Sequence, residues 1–327
     1  MALEEERAYV DRALDLLEDG YHGGDEVDWP ELRDVAHRRL DADPARVDSY
    51  LAIGAVLSRI GDAHNQLIYP AVVQQAVPER SGEYPRVERD GDVLIIKLPP
   101  VHVRYVTSPD YVRRTLAAIR EGTEQATCGW IVDLREFTGG SMFHPLAVLG
   151  PVLVGQAALT LEHADGTVAT AVGFDADGAL LLDGLPAAEA IAERSVDEVL
   201  LPDLAEQEML ALTDLGPLPL PTPDIPIAVL TSRLTASSGE AVAVALEGRP
   251  ATRRFGQATY GIPTGPTSYE LEDGAVLRVA TTRMVDRDGN AYSTSIPPDV
   301  DTSEPEADAA AWLEDAARCS VSQPSHE

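Results

Sequence analysis

Short apolar runs rich in β-branched residues recur along this chain, and they constrain its fold more than any other feature. They are VLIIKLP (93–99), GWIVDL (129–134) and IAVL (227–230). Runs of this length, bounded by Gly, Pro or Asp, read as buried strands rather than as helices. Helix-like stretches lie between and after them, at 109–121, 238–247 and 305–318. Strands alternating with helices in this way predict an α/β fold. DG at 90–91 predicts a hairpin within 86–99.

Ahead of this core, residues 3–20, 30–41 and 47–60 carry helical periodicity. Asp28 or Trp29 stands near a helix cap, with Pro30 in the first turn. The expected organisation is a helical N-terminal subdomain over 1–66 and an α/β core over 67–327. LIYPAVV (67–73) reads as the first strand and 256–267 as a Gly/Thr/Pro loop, followed by a hairpin pair over 268–285. Residues 157–223 read as an insertion forming a lobe. It holds two hairpin-like pieces, an acidic helix near 186–199 and a proline-rich link.

Charge narrows the partners. The chain has 327 residues, 55 of them acidic and 25 basic, for a formal net charge of −30. Such a surface repels phosphate backbones and anionic membranes, so a nucleic-acid partner is not expected. No run is long and apolar enough to span a bilayer, and the acidic N-terminus does not read as a signal peptide. The expected location is cytoplasmic. Cys128 and Cys319 show neither metal nor disulfide-framework spacing, and no HExxH, GxGxxG or P-loop motif occurs. No cofactor or metal is expected.

Three segments carry possible chemistry. In TASSGE (235–240) a strand turns sharply into a helix, a geometry that exposes a hydroxyl beside free backbone N–H groups. Ser-x-x-Glu, here Ser237 to Glu240, is also a capping box, so the serines taken alone read first as a helix start. DLREFTGG (133–140) ends a buried strand in two glycines, which offer close backbone approach and N–H donors. In GDAH (61–64), His64 stands where helices give way to strands. A serine nucleophile needs a base of near-neutral pKa, but spacing does not choose His64 among the seven histidines.

Taken together and in this order, VDW (27–29), GDAH, GWIVDLR…GG, TASSGE, TYGIPTG (259–265) and IPPD (296–299) resemble the tail-specific, or C-terminal processing, family of serine peptidases. LEDGAVL (271–277) and DRDGNAY (286–292) bring the likeness nearest the branch that includes nisin-resistance proteases. The resemblance implies a Clp protease/crotonase-like core and hydrolysis of peptides near the C-terminus. Many members insert a PDZ domain after the first subdomain, and the short stretch here leaves no room for one.

Carried over by motif, Ser237 is the nucleophile, with Ser238 its rival, and His64 is the general base. The N–H of Ser238 and that of Gly139 or Gly140 form the oxyanion hole. The family's Ser-Lys branch places a lysine where Ile262 stands here, and the sole lysine, Lys97, lies in a different motif. The base is therefore expected to be histidine. Phe137 replaces the family's usual Asn, Asn65 follows the histidine where Ser or Thr is common, and Tyr292 and Ser293 stand where some relatives orient the histidine with a Glu. The expected partner is a peptide or an unfolded protein C-terminus. The competing readings are a catalytically weak or inactive peptide-binding or resistance protein on the same scaffold, and a hydrolytic or acyl-transfer step on a small modified peptide.

Overall fold

The computed structural model describes residues 3–42, 48–73, 84–101, 109–124, 128–187, 189–190 and 224–315. Helices α1 (Leu3–Gly20), α2 (Trp29–Asp41) and α3 (Ser49–Ile60) precede β1 (Gln66–Ile68) and a helical turn, α4 (Pro70–Val73). Then come β2 (Arg86–Asp90), β3 (Val93–Lys97), α5 (Pro109–Thr123), β4 (Gly129–Asp133) and α6 (Phe143–Leu149). Strands β5 (Gly155–Glu162), β6 (Val168–Phe174), β7 (Leu180–Leu182) and β8 (Leu185–Pro186) follow. The chain continues with β9 (Ile227–Thr231), α7 (Ser238–Leu246), β10 (Thr252–Gly256), β11 (Thr264–Glu270) and β12 (Val276–Asp286). It closes with β13 (Ala291–Tyr292), β14 (Val300–Asp301) and α8 (Pro305–Glu314). The expected acidic helix near 186–199 and the proline-rich link lie almost wholly outside the described residues, as does the end of the C-terminal helix expected to reach 318.

These elements form two compact units. The smaller comprises residues 1–78, 161–169 and 264–283, and the larger holds the remainder. In the smaller, α2 and α3 each start where a side chain satisfies a free N–H group. Asp28 accepts from Glu31 N at 3.0 Å, with Pro30 in the first turn, and Asp48 accepts from Leu51 N at 3.2 Å. α3 ends on Gly61 in the left-handed conformation. The apolar stripes of α1 to α3 (Val10, Leu14, Leu17, Leu32, Leu40, Ile53 and Val56) close on Leu271, Leu277 and Val279 from the β11–β12 hairpin. β12 pairs antiparallel with β1 on one side and β11 on the other.

Two expectations change here. LIYPAVV is not one strand: β1 ends at Ile68, and Pro70 opens a helical turn. Proline cannot donate to a ladder, and its fixed φ suits a helix start. The 256–267 loop is shorter than expected, because β11 begins at Thr264. Its ladder to β12 shifts register between Gly265 and Pro266. A bulge tolerates proline, so a turn-rich sequence pairs as a strand.

The larger unit is built on a sheet in the order β14-β10-β9-β4-β3-β2. β3, β4, β9 and β10 are parallel, and the β2–β3 hairpin turns at Gly91 and Asp92. Every residue of β4 and β9 is buried, as a central parallel strand requires. α8 covers one face through Ala309 and Leu313, against Ile131, Ala228 and Leu230. α5 packs near Leu94, whose side chain points to the opposite face by strand alternation. Cys128, just before β4, is disulfide-bonded; two lone cysteines leave no spacing pattern from which to read such a bond. Among the described residues, no helix is long and apolar enough to cross a membrane, and no acidic, histidine or cysteine cluster is arranged to hold a metal.

Loss of the Asp28 cap by Asp28→Ala should destabilise the protein by about 1 kcal/mol. Urea unfolding followed by circular dichroism will show this as a lowered midpoint with an unchanged slope.

Candidate active site

Parallel strands β4 and β9 are neighbours, and the loops leaving their C-terminal ends lie side by side. Ligands bind at this edge in open parallel sheets. The two loops are stitched together by short hydrogen bonds. Thr235 Oγ1 donates to Leu134 O at 2.8 Å, Ser232 Oγ to Arg135 O at 2.6 Å, and Ala236 N to Phe137 O at 3.0 Å. The DLR segment is also braced from within. Arg135 grips Asp133 through two bonds of 2.9 and 2.7 Å and reaches Glu306 at 2.9 Å. That bidentate pairing, on a nearly buried Asp133, holds the guanidinium pKa well above its ordinary value.

Phe137 takes over the job expected of an asparagine by other means. Its ring is fully buried, its N–H donates to Leu134 O at 3.0 Å and its carbonyl receives Ala236 N–H. The loop is thus held by apolar packing and backbone bonds, without a side-chain amide.

Ser237 has φ 54° and ψ −116°, a conformation that costs a non-glycine residue roughly 1–3 kcal/mol. It stands at the sharp turn between β9 and α7. Such a strained strand-to-helix elbow lifts a serine hydroxyl clear of the chain on either side. Ser237 is partly exposed. Its rival Ser238 is 3% exposed, and its hydroxyl is sealed from solvent with no hydrogen-bond partner among the described residues. The geometry thus favours Ser237 as the accessible hydroxyl.

The strained turn is anchored by Glu240, which is completely buried. Its carboxylate accepts from Ser237 N at 2.8 Å, Thr259 Oγ1 at 2.5 Å, Gly261 N at 2.9 Å and Ile262 N at 3.0 Å. Burial pushes the Glu240 carboxyl above its ordinary pKa, while these four donors pull it back. One side chain thereby ties the serine turn to the TYGI loop, with Ile262 as a structural member of that loop.

Gly139 lies against the serine. A Cβ at Gly139 would sit 3.4 Å from Ser237 Cβ and 3.9 Å from its Oγ, and its φ of 133° is one that few L side chains adopt. At Gly140 a Cβ would fall 1.9 Å from Val101 O, so that position admits only glycine. Ser141 N–H donates to Val101 O at 2.7 Å and fixes the loop. Among the described residues, the N–H groups of Gly139, Gly140 and Ser238 have no acceptor. The structure therefore brings Ser237, Ser238 and Gly139 together, with Gly140 adjoining, and the Ser238 N–H opens helix α7. Free N–H donors beside an accessible hydroxyl suit the oxygen of a tetrahedral intermediate.

His64 belongs to the smaller unit, and Ser237 to the larger. His64 is 6% exposed, and its Nδ1 lies 2.6 Å from Thr264 Oγ1. Its backbone N–H donates to Asp62 Oδ1 at 2.9 Å, and Asp62 Oδ2 lies 3.4 Å from His22 Nε2. Asn65 Oδ1 accepts from Ala280 N at 2.7 Å and pins the same turn to β12. Burial pulls the His64 pKa down to about 4; Asp62 opposes that shift, while Arg278 and His22 add to it. The ring is therefore neutral at pH 7. It contributes stability that is fully present above pH 6.5 and is lost as the pH falls through about 4. Thr264 was not foreseen as a partner of His64, although it lies within the quoted TYGIPTG motif; 200 residues of intervening chain hid the contact. Tyr292, at the place where some relatives carry an orienting Glu, donates instead to Asp286 Oδ2 at 2.8 Å.

Residues 92–302 match peptidase family S41. The nisin-resistance protein of Lactococcus lactis subsp. lactis is 25% identical over 70% of this chain; the match spans 62% of that relative's length. A lipoprotein structure from Streptococcus agalactiae superposes with a TM-score of 0.69 at 23% identity, covering 94% of this chain and 96% of that one. The photosystem II D1 C-terminal processing protease superposes with a TM-score of 0.56 at 14% identity, over 92% of this chain and 93% of that one. These similarities place the architecture among Clp-protease-like α/β folds.

Glu240→Ala strands buried donors on both the serine turn and the TYGI loop. It should cost at least about 3 kcal/mol, measured by denaturant unfolding, since each buried donor left unpaired costs about 1–3 kcal/mol.

Proposed function

The chain belongs to peptidase family S41, and we propose that it is a serine peptidase cleaving peptides near the C-terminus, with Ser237 as nucleophile and His64 as general base. The observation that carries this reading is the strained, accessible Ser237 with the Gly139 and Ser238 N–H groups beside it, which have no acceptor among the described residues.

In this mechanism Ser237 Oγ attacks the scissile carbonyl carbon and gives its proton to His64 Nε2. The carbonyl oxygen becomes an oxyanion held by the N–H groups of Ser238 and Gly139. Collapse breaks the C–N bond, and the leaving amine takes the proton from the imidazolium. Water, deprotonated by the same ring, then hydrolyses the acyl-serine and returns the hydroxyl. His64 can act only if Nε2 keeps its lone pair. Nδ1 lies 2.6 Å from Thr264 Oγ1; in this mechanism Nδ1–H donates to that hydroxyl, which makes Thr264 a positioning residue.

A second reading, a catalytically weak or inactive peptide-binding or resistance protein, draws on the same site. A base with a pKa of about 4 is weak, a hydroxyl stabilises an imidazolium less than a carboxylate does, and the relative at 25% identity is named a resistance protein.

The two readings separate in a single set of experiments. A fluorophosphonate probe should label Ser237, and Ser237→Ala or His64→Ala should each lower kcat by about 10⁴-fold or more on a peptide substrate. Peptide binding without turnover, unchanged by Ser237→Ala, would establish the second reading instead.

The pH profile is a further check. Because His64 titrates at about 4 rather than 6.5, kcat/KM should stay level from about pH 6 to 8 and fall only toward pH 4. Thr264→Val should lower kcat by about tenfold or more with little change in KM, and Thr264→Ser should restore it.

A further inference from the structure

Arg278 stands in β12 directly opposite Gln66, two residues after His64. Asn65 holds Ala280 N, two residues farther along the same strand, at 2.7 Å. Arg278 and the histidine turn are thus fastened side by side within the smaller unit.

Acids take up many of the other arginines. Arg33 pairs with Asp15 and Glu18, Arg135 with Asp133 and Glu306, Arg254 with Glu247, and Arg283 with Glu162. Arg278 is only partly exposed, yet its guanidinium makes no hydrogen bond, ion pair or ring contact among the described residues. In a chain with 55 acidic and 25 basic residues, a cation left without a carboxylate runs against the general balance. Burial alone pulls its pKa down, and its charge helps hold the His64 pKa low, after the larger effect of burial. A desolvated guanidinium is costly until an anion meets it, and its planar fork matches a carboxylate.

We propose that Arg278 is a specificity residue that binds a carboxylate of the peptide substrate beside His64. The assignment rests on the peptidase reading of this site. The carboxylate is either the substrate's own C-terminus or an acidic side chain, chemically alike to the guanidinium. Arg278 selects and seats the peptide and does not take part in bond making.

The test uses the full-length Ser237→Ala protein, so that binding is read without turnover. The probes are two pairs of fluorescein-labelled random decapeptide pools, followed by anisotropy. One pair differs only in a free against an amidated C-terminus; in the other, amidated, pair a single internal Glu is replaced by Gln. The carboxylate member of one pair should bind about tenfold or more tightly, and Arg278→Met should bring its two members to within about twofold. The pair that responds identifies the source of the carboxylate. Arg278→Lys keeps the charge but not the fork and should lose several-fold of the preference; it decides the matter if Arg278→Met fails to fold. Equal binding within both pairs, no binding of any pool, or a preference unchanged by either substitution would overturn the proposal. Turnover of both pools by the unmodified protein without selectivity would sink this assignment and leave the peptidase reading standing. Selective binding without turnover by that protein would do the reverse.

Discussion

A single buried carboxylate organises the larger unit's site. Glu240 is the acceptor for Ser237 N, Thr259 Oγ1, Gly261 N and Ile262 N, and without it the serine turn and the TYGI loop would each carry unsatisfied buried donors. Ser237 sits in a backbone conformation that is unfavourable by itself. Strain of that kind persists only where the surroundings over-determine it. Glu240 over-determines it from one side, and the bonds from Thr235 and Ala236 to the loop after β4 do so from the other.

The same economy explains how the site tolerates departures from its family's pattern. An asparagine in the strand-end loop is replaced by Phe137, and the loop is held by a buried ring and two backbone bonds. The family lysine position is occupied by Ile262, whose backbone N–H serves Glu240. Thr264 Oγ1 meets the His64 ring at Nδ1.

His64 and Arg278 are electrostatically coupled within the smaller unit. The ring is buried and uncharged at neutral pH, and the nearby guanidinium helps keep it so. Burial lowers the basicity of the histidine and keeps the ring neutral at physiological pH.

What the sequence alone determined was local. Apolar runs such as GWIVD and IAVLT become the buried strands β4 and β9 because a β-branched, continuously apolar segment has few other stable environments. Asp28, Pro30 and Gly61 mark helix ends through bonds and dihedrals within a few residues. The serine turn, the diglycine and GDAH were legible as motifs, and their joint order pointed to the family. LIYPAVV and the 256–267 segment misled because β-propensity and turn composition lose to a proline's missing N–H and to cross-strand pairing. The tertiary structure alone decided which serine hydroxyl is accessible, that Glu240 binds a loop about twenty residues away, and that Thr264 meets His64 across 200 residues. Those contacts depend on where distant strands pair, and sequence spacing carries no information about distances that only the completed sheet creates.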